Sequence, residues 1–497
     1  MSKKRLTQIL ALILAGALVL TTLVSIVVSS AYGEEAEALR DSYALEIQFL
    51  EDQQALRVTQ RLVFTNRTGT RLDRAMFALY ANQFRRQSTV MYEDAEALYA
   101  GYLPGGAEFF SVAVNGQQAE WAVQGDGEWY LRVKCDLAPG ETCEFSFVYD
   151  VLLTENAAFL GTDGDSWRLS GFYPVLCVWE NGVWAANDPL QQCRYTLTTP
   201  ADYTAQITLP ERFELAAPGE VTREEAGNGE IRWTVSCQNL REFSLIFSRT
   251  WRRQEEATAA GTRVIVRSAA RSGAGRAMEF ALEALEACEE WFGPLPGGKL
   301  EICQTRFCRE GLKFAGCVWL DEALFEGKNK EEMRWQIYRA VAEQYFGIAV
   351  YADPVADAWL SESVSEYICY LLLEKYQGKQ ARVERMDQYL TNALKVTIPG
   401  NLTITSSADG LNQSQYDIVV RDRGAAAMYE LGRTLGREVL LEALGNYVAR
   451  FSGGDQVTEM DFLSAINDTT GTNWEDFLTE ILFEMEEYGR GVLDWNE

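Results

Sequence analysis

Two pairs of ionisable residues between positions 338 and 367 have the spacing that places side chains on one face of a helix. Arg339 and Glu343 are four apart, and so are Glu362 and Glu366. If the two helices carrying them face each other, one guanidinium stands among two or three carboxylates. That group could form a buried ion pair with charge-assisted hydrogen bonds, or an exposed pair contributing about 0.3–0.5 kcal/mol. Glu343, Glu362 and Glu366 alone could hold a hard cation such as calcium, although Arg339 adds a positive charge beside the ion. Imidazole chemistry is excluded, because the 497 residues contain no histidine. No Ser-His-Asp or Cys-His site can be built, and no Gly-x-Ser-x-Gly elbow is present.

The elements that must position these groups are legible from periodicity. Tyr338, Val341, Ala342 and Tyr345 form one apolar helical stripe. Leu360, Val364, Tyr367 and Ile368 form another after Pro354, so two consecutive helices are expected, with a turn around 347–353. Upstream, 41–249 reads as β-structure. Residues 43–49 and 56–64 alternate polar and apolar, and Thr65-Asn66-Arg67-Thr68-Gly69 supplies a turn. Further strands are expected at 144–151, 195–199 and 242–247, a spacing that suits an all-β sandwich. The charged stretch 252–261 reads as a solvated linker. Beyond it come a strand at 262–267, a helix at 277–292 ended by Gly293-Pro294, strands at 300–304 and 316–320, and a helical C-terminal part. Thr458 is the expected N-cap of a late helix.

Composition bounds the partners. A net charge of −27 would repel nucleic acid and anionic lipid. Lys3, Lys4 and Arg5 precede an uncharged apolar run over 9–28, followed by small residues at Ser29-Ser30-Ala31 and Ala31-Tyr32-Gly33. Residues 1–33 are therefore a signal peptide or an uncleaved membrane anchor, and either exports the rest of the chain. The ten cysteines permit disulfides in an oxidising compartment. Cys135 with Cys143, across Ala138-Pro139-Gly140, is the best local candidate. The spacing of Cys303, Cys308 and Cys317 matches no zinc pattern.

The helix pair resembles the zinc-site core of the gluzincin aminopeptidases, the family of aminopeptidase N and leukotriene hydrolase. That family carries H-E-x-x-H followed by Gln, an aromatic, Phe and Gly, then Trp-Leu-Asn-Glu on a second helix. Gln344-Tyr345-Phe346-Gly347 and Trp359-Leu360-Ser361-Glu362 match those tails, with Glu362 at the third ligand position. Arg339 stands at the first histidine, Ala340 at the glutamate base and Glu343 at the second histidine. Gly311-Leu312-Lys313-Phe314 resembles the Gly-Met-Glu-aromatic edge of the family's groove, with Lys313 where a glutamate would hold a substrate amino terminus. A surface lysine on a loop is the plain alternative. Arg421, three before Gly424-Ala425, stands where a tyrosine would donate to the tetrahedral intermediate. It could still stabilise an oxyanion or could form a simple salt bridge. Phe64-Thr65-Asn66, Leu79-Tyr80-Ala81-Asn82 and Phe172-Tyr173-Pro174-Val175 resemble the family's N-terminal β-domain.

The resemblance implies a multidomain α+β chain: an N-terminal β-sandwich over 40–250, then a thermolysin-like domain over 255–497 with a small sheet and a mostly helical C-terminal part. Glu343, Glu362, Glu366, Phe314 and Tyr345 would line a vestigial groove. Zinc is the family's cofactor, but its ligands are absent here, so no cofactor is expected. The reading is an exported or anchored, catalytically silent module at the cell surface that binds peptides or surface proteins, with membrane contact only through the N-terminal segment. A hydrolase with an altered, histidine-free site and a purely structural envelope protein remain alternatives.

Overall fold

The computed structural model describes residues 40–90, 97–185, 198–307, 312–327, 329–398, 402–483 and 494–495. The expected signal or anchor segment 1–33, most of the expected strand 195–199, and Cys193 and Cys308 lie outside them. Among the described residues, no helix is long and apolar enough to cross a membrane.

Strict alternation of apolar and polar residues builds the first half. Asp41–Leu50 and Ala55–Thr65 bury every second side chain and pair antiparallel, Ile47 against Val58. They sit in the middle of an eight-stranded sheet. A four-stranded sheet containing Leu72–Ala78 and Tyr130–Leu137 packs across it. Phe77 of this second sheet meets Phe145 and Phe147 of the first at ring distances of 5.3 and 5.0 Å, both edge-on. Aromatic pairs of this geometry add to the area they bury. A second four-stranded sheet includes Ser166–Ser170 and Ser244–Ser248.

Two expectations are corrected here. Residues 252–261 are not a linker throughout, because Arg252–Ala257 is a strand paired with Arg263–Ser268. It is the edge of a five-stranded sheet, and its charges are those of a solvated sheet edge rather than of an unstructured connection. Cys135 and Cys143 do not face each other across a hairpin. Tyr130–Leu137 and Thr142–Leu152 belong to different sheets. The Pro139-Gly140 turn crosses between layers, with Gly140 N–H bonded to Asn66 O at 2.8 Å, and Cys135 is a half-buried thiol.

The five-stranded sheet opens the second half. Arg263–Ser268, Lys299–Thr305 and Cys317–Asp321 run parallel, and Leu312–Phe314 closes the edge antiparallel to Cys317–Asp321. The crossover helix Arg271–Phe292 begins earlier than the pattern suggested. It buries Ala277, Phe280, Ala281 and Ala284 against Val264 and Val266. The rest is helical, so the whole is an α+β chain with a sheet-rich N-terminal part and a helical C-terminal part. Ser42–Glu497 form one unit. Polar ties cross the seam between the halves. Ser166 Oγ and Thr305 Oγ1 are 2.7 Å apart, Lys299 Nζ donates to Ala217 O at 2.8 Å, and Arg267 bridges Glu214 and Glu301 at 2.8 and 2.7 Å.

The helix Gly424–Leu435 crosses the helix Trp359–Gln377 at a position where one residue must lack a side chain. A Cβ on Gly424 would lie 1.9 Å from Ser363 Oγ. Gly424→Ala should therefore lower stability by about 1–3 kcal/mol, the usual range for overpacking. Gly275→Ala, on an exposed helical position with open space around it, should be neutral or stabilising by up to about 1 kcal/mol. Urea denaturation of the two variants checks both signs.

Candidate functional site

Two helices and one hairpin build the site. The first helix, Lys330–Glu343, starts at Asn329, whose side chain accepts from Glu332 N–H, and carries Glu331 and Glu332 in its first turn, where the helix dipole favours acids. All residues from Met333 to Ala342 are buried, so it runs through the core. It passes directly into a π-helical turn, Gln344–Ala349. The second helix, Trp359–Gln377, is buried along most of its length and ends at Gly378. The hairpin is the sheet edge Leu312–Phe314 with its turn. Gln344 holds it at both sides of that turn, donating to Phe314 O at 3.0 Å and accepting from Gly316 N–H at 2.8 Å.

The Arg339 side chain, 5% exposed, projects into the space between these elements. Its Nε lies 2.9 Å from Glu343 Oε1 and 3.8 Å from Glu366 Oε2, and its Nη2 donates to Glu362 Oε2. Lys313 Nζ adds a second cation, 3.0 Å from the same Glu343 oxygen. Two cations thus face three carboxylates from three elements, and the arrangement is the buried form of the ion pair rather than the exposed one. Charges taken out of water this far need their partners, because an unpaired buried charge is costly. Lys313 is not a surface lysine on a loop; it sits on the edge strand with its ammonium seated on Glu343.

The other expected residues fall in different surroundings. Ala340 is buried and presents only a methyl group. Phe314 packs on Trp319 at a ring distance of 4.5 Å and also lines a cleft beside the hairpin. Tyr345 is corrected: it does not line a groove. It points into the core against Phe292, with its hydroxyl donating to Gly293 O at 3.1 Å, and burial raises its pKa well above the usual tyrosine value. Arg421 pairs with Asp417 at 3.1 Å and lies 3.7 Å from Asp422. It stands in a π-helical turn, Tyr416–Arg423, that Ser363 Oγ ties to the second helix through Val420 O. Burial pushes the Cys369 thiol well up, and Glu366 adds to the effect, so this neighbour of the cluster stays protonated and is no nucleophile.

Sequence reasoning did not find that cleft, whose volume is about 200 Å3 and whose lining includes Arg241, Lys313, Phe314, Ile348, Tyr351 and Gly453. Arg241 and Gly453 come from segments 212 residues apart, and no local pattern connects them.

The donor set does not fit a zinc of the kind that uses two imidazoles and one carboxylate. A guanidinium, which stays protonated and offers no lone pair to a metal, is already in contact with Glu343 and Glu362. Among the described residues, no group of three or more His, Cys, Asp or Glu is arranged to hold a metal ion.

Known proteins resemble this chain in part of its sequence and in its fold. Residues 314–482 match the family model described as Peptidase family M1 domain. Aminopeptidase M1-B of Oryza sativa subsp. japonica is 23% identical over 243 residues, which are 45% of this chain and 27% of that protein. Aminopeptidase M1-A of the same plant is 25% identical over 231 residues, 44% of this chain and 26% of the relative. The chain thus spans about a quarter of the length of the curated relatives it matches. Among solved structures, an M1 zinc metallopeptidase from Deinococcus radiodurans superposes with a TM-score of 0.65 at 20% identity, covering 92% of this chain and 96% of that one. A mutant of that enzyme bound to a Tyr-Ser-Ala substrate matches equally well in fold, at 19% identity.

The ion-pair cluster makes a direct energetic prediction. Arg339→Ala should destabilise the protein by about 3–5 kcal/mol, because it leaves close buried carboxylates without their cation. Adding Glu362→Gln should recover part of that loss. A double-mutant cycle in urea checks the coupling, and additive single losses would contradict it.

Proposed function

We propose that this chain, a relative of the gluzincin aminopeptidases with a peptidase family M1 domain, is a catalytically silent binding module that holds peptides or surface proteins. One observation carries the reading. The Arg339 guanidinium, backed by Lys313, stands among Glu343, Glu362 and Glu366 where the resemblance places a metal ion and its ligands. The supporting chemistry is consistent with it. The position of the base holds Ala340, which cannot take a proton, and the sequence contains no imidazole. The alternative, a hydrolase working through carboxylates, needs one of them open to a substrate proton. Glu343 is shared by two cations and Glu362 is engaged by Arg339, which favours the silent reading. The basic and apolar run of the N-terminus supports export, either as a secreted chain or as one anchored in a membrane, with the module at the cell surface.

The purified full-length chain should carry no stoichiometric zinc after dialysis. It should release no fluorophore from aminoacyl-coumarin amides above the buffer rate, with or without added zinc. About one zinc per chain, together with hydrolysis that a chelator abolishes, would overturn the proposal.

A further inference from the structure

The cleft beside the edge hairpin lies on the seam between the sheet-rich and helical halves. One wall is the segment 239–242, the end of the long strand Glu230–Leu240 and the two residues after it. Facing it are the hairpin residues Lys313–Ala315 and the segment from Gly347 to Pro354 that joins the two site helices. The charged residues of its lining are Arg241, Lys313 and Glu242.

Two of the three already have a bonding partner. Lys313 sits on Glu343, and Glu242 accepts from Ser170 Oγ at 3.0 Å. Arg241 is different. It donates to two backbone carbonyls, Thr198 O at 2.8 Å and Gly454 O at 3.2 Å, and its guanidinium lies over the Tyr351 ring at 4.0 Å. Among the described residues it has no carboxylate in ion-pair contact. The guanidinium has five N–H donors, so most of its donating capacity is not met by those two carbonyls. Stacking on Tyr351 and the two carbonyl bonds fix its plane, which limits the ordering needed when an anion arrives. Burial lowers its pKa from the usual arginine value, with Tyr351 and the exposed Asp455 acting in the opposite direction. Around it Phe314, Ile348 and Tyr351 give the recess an apolar floor.

We propose that this cleft binds a peptide through a carboxylate, with Arg241 as the anchor and the apolar floor taking the adjoining side chain. The inference rests on the reading of the chain as a peptide-holding module and adds the chemistry of what is held. A guanidinium with donors to spare matches a carboxylate through two parallel N–H bonds. The carboxylate can be a peptide's C-terminus or an acidic side chain.

Three probes and two variants test this on the full-length protein by calorimetry. The probes are Tyr-Ser-Ala as the free acid, its C-terminal amide, and Tyr-Asp-Ala amide. The free acid should bind at least about tenfold more tightly than Tyr-Ser-Ala amide, the factor expected from one charge-assisted hydrogen bond. If the side-chain source also serves, Tyr-Asp-Ala amide should regain most of that factor; if it does not, the C-terminus is the group recognised. Arg241→Gln should remove the difference between acid and amide, and Arg241→Lys should retain part of it. Since Arg241 also ties the seam, the acid-to-amide ratio on the unaltered protein stands as an independent readout. Equal binding of all three probes, or an undiminished preference in a folded Arg241→Gln protein, would overturn the carboxylate anchor while leaving peptide binding intact. Failure of all three probes to bind would instead overturn the peptide-holding reading, and this inference with it.

Discussion

The structure around the site depends on one desolvated guanidinium. Arg339 contacts Glu343 on its own helix and Glu362 on the next, and approaches Glu366 one turn further along. A buried charge tolerates little displacement from its partners, since interaction and desolvation are both large in a medium of low polarity. The cluster therefore fixes the rotation of both helices and the distance between them. Replacing such a group with apolar side chains of equal volume is often neutral or stabilising in proteins, so its contribution here is better described as register than as net stability.

The parts around it extend that register outward. Lys313 draws the sheet edge onto Glu343, and Gln344 holds the same hairpin through Phe314 O and Gly316 N–H. The π-helical turn that starts at Gln344 places that side chain while ending the first helix. On the other side, the absent side chain of Gly424 lets the next helix approach Ser363. Sheet edge, first helix, second helix and following helix are thus fixed to one another by specific side chains, and the cleft at the seam inherits its shape from them.

Much of this was legible in the sequence. The 3.6-residue stripe from Tyr338 to Tyr345 and the alternation over 43–49 mark elements whose burial pattern follows directly from periodicity. The four-residue spacings of Arg339/Glu343 and Glu362/Glu366 gave the helix faces, and the family resemblance brought those faces together. What was missed required information that periodicity does not contain. The strand Arg252–Ala257 buries almost nothing, so it has no hydrophobic signature and reads as a linker. The Cys135 and Cys143 strands look like a hairpin locally but turn into different layers. Tyr345 falls on the core side of its helix, which a motif match cannot tell from the groove side. Arg241 belongs to the cleft only because distant segments converge there.

In the reading proposed here, a side-chain cation occupies the place of a metal ion. Isothermal titration with zinc, on the parent protein and on a variant carrying Arg339→His, Ala340→Glu and Glu343→His together, tests it most directly. The parent should show no specific binding, and the variant should bind about one equivalent of zinc through two imidazoles and Glu362. Stoichiometric zinc binding by the parent, or a folded variant that binds none, would contradict it.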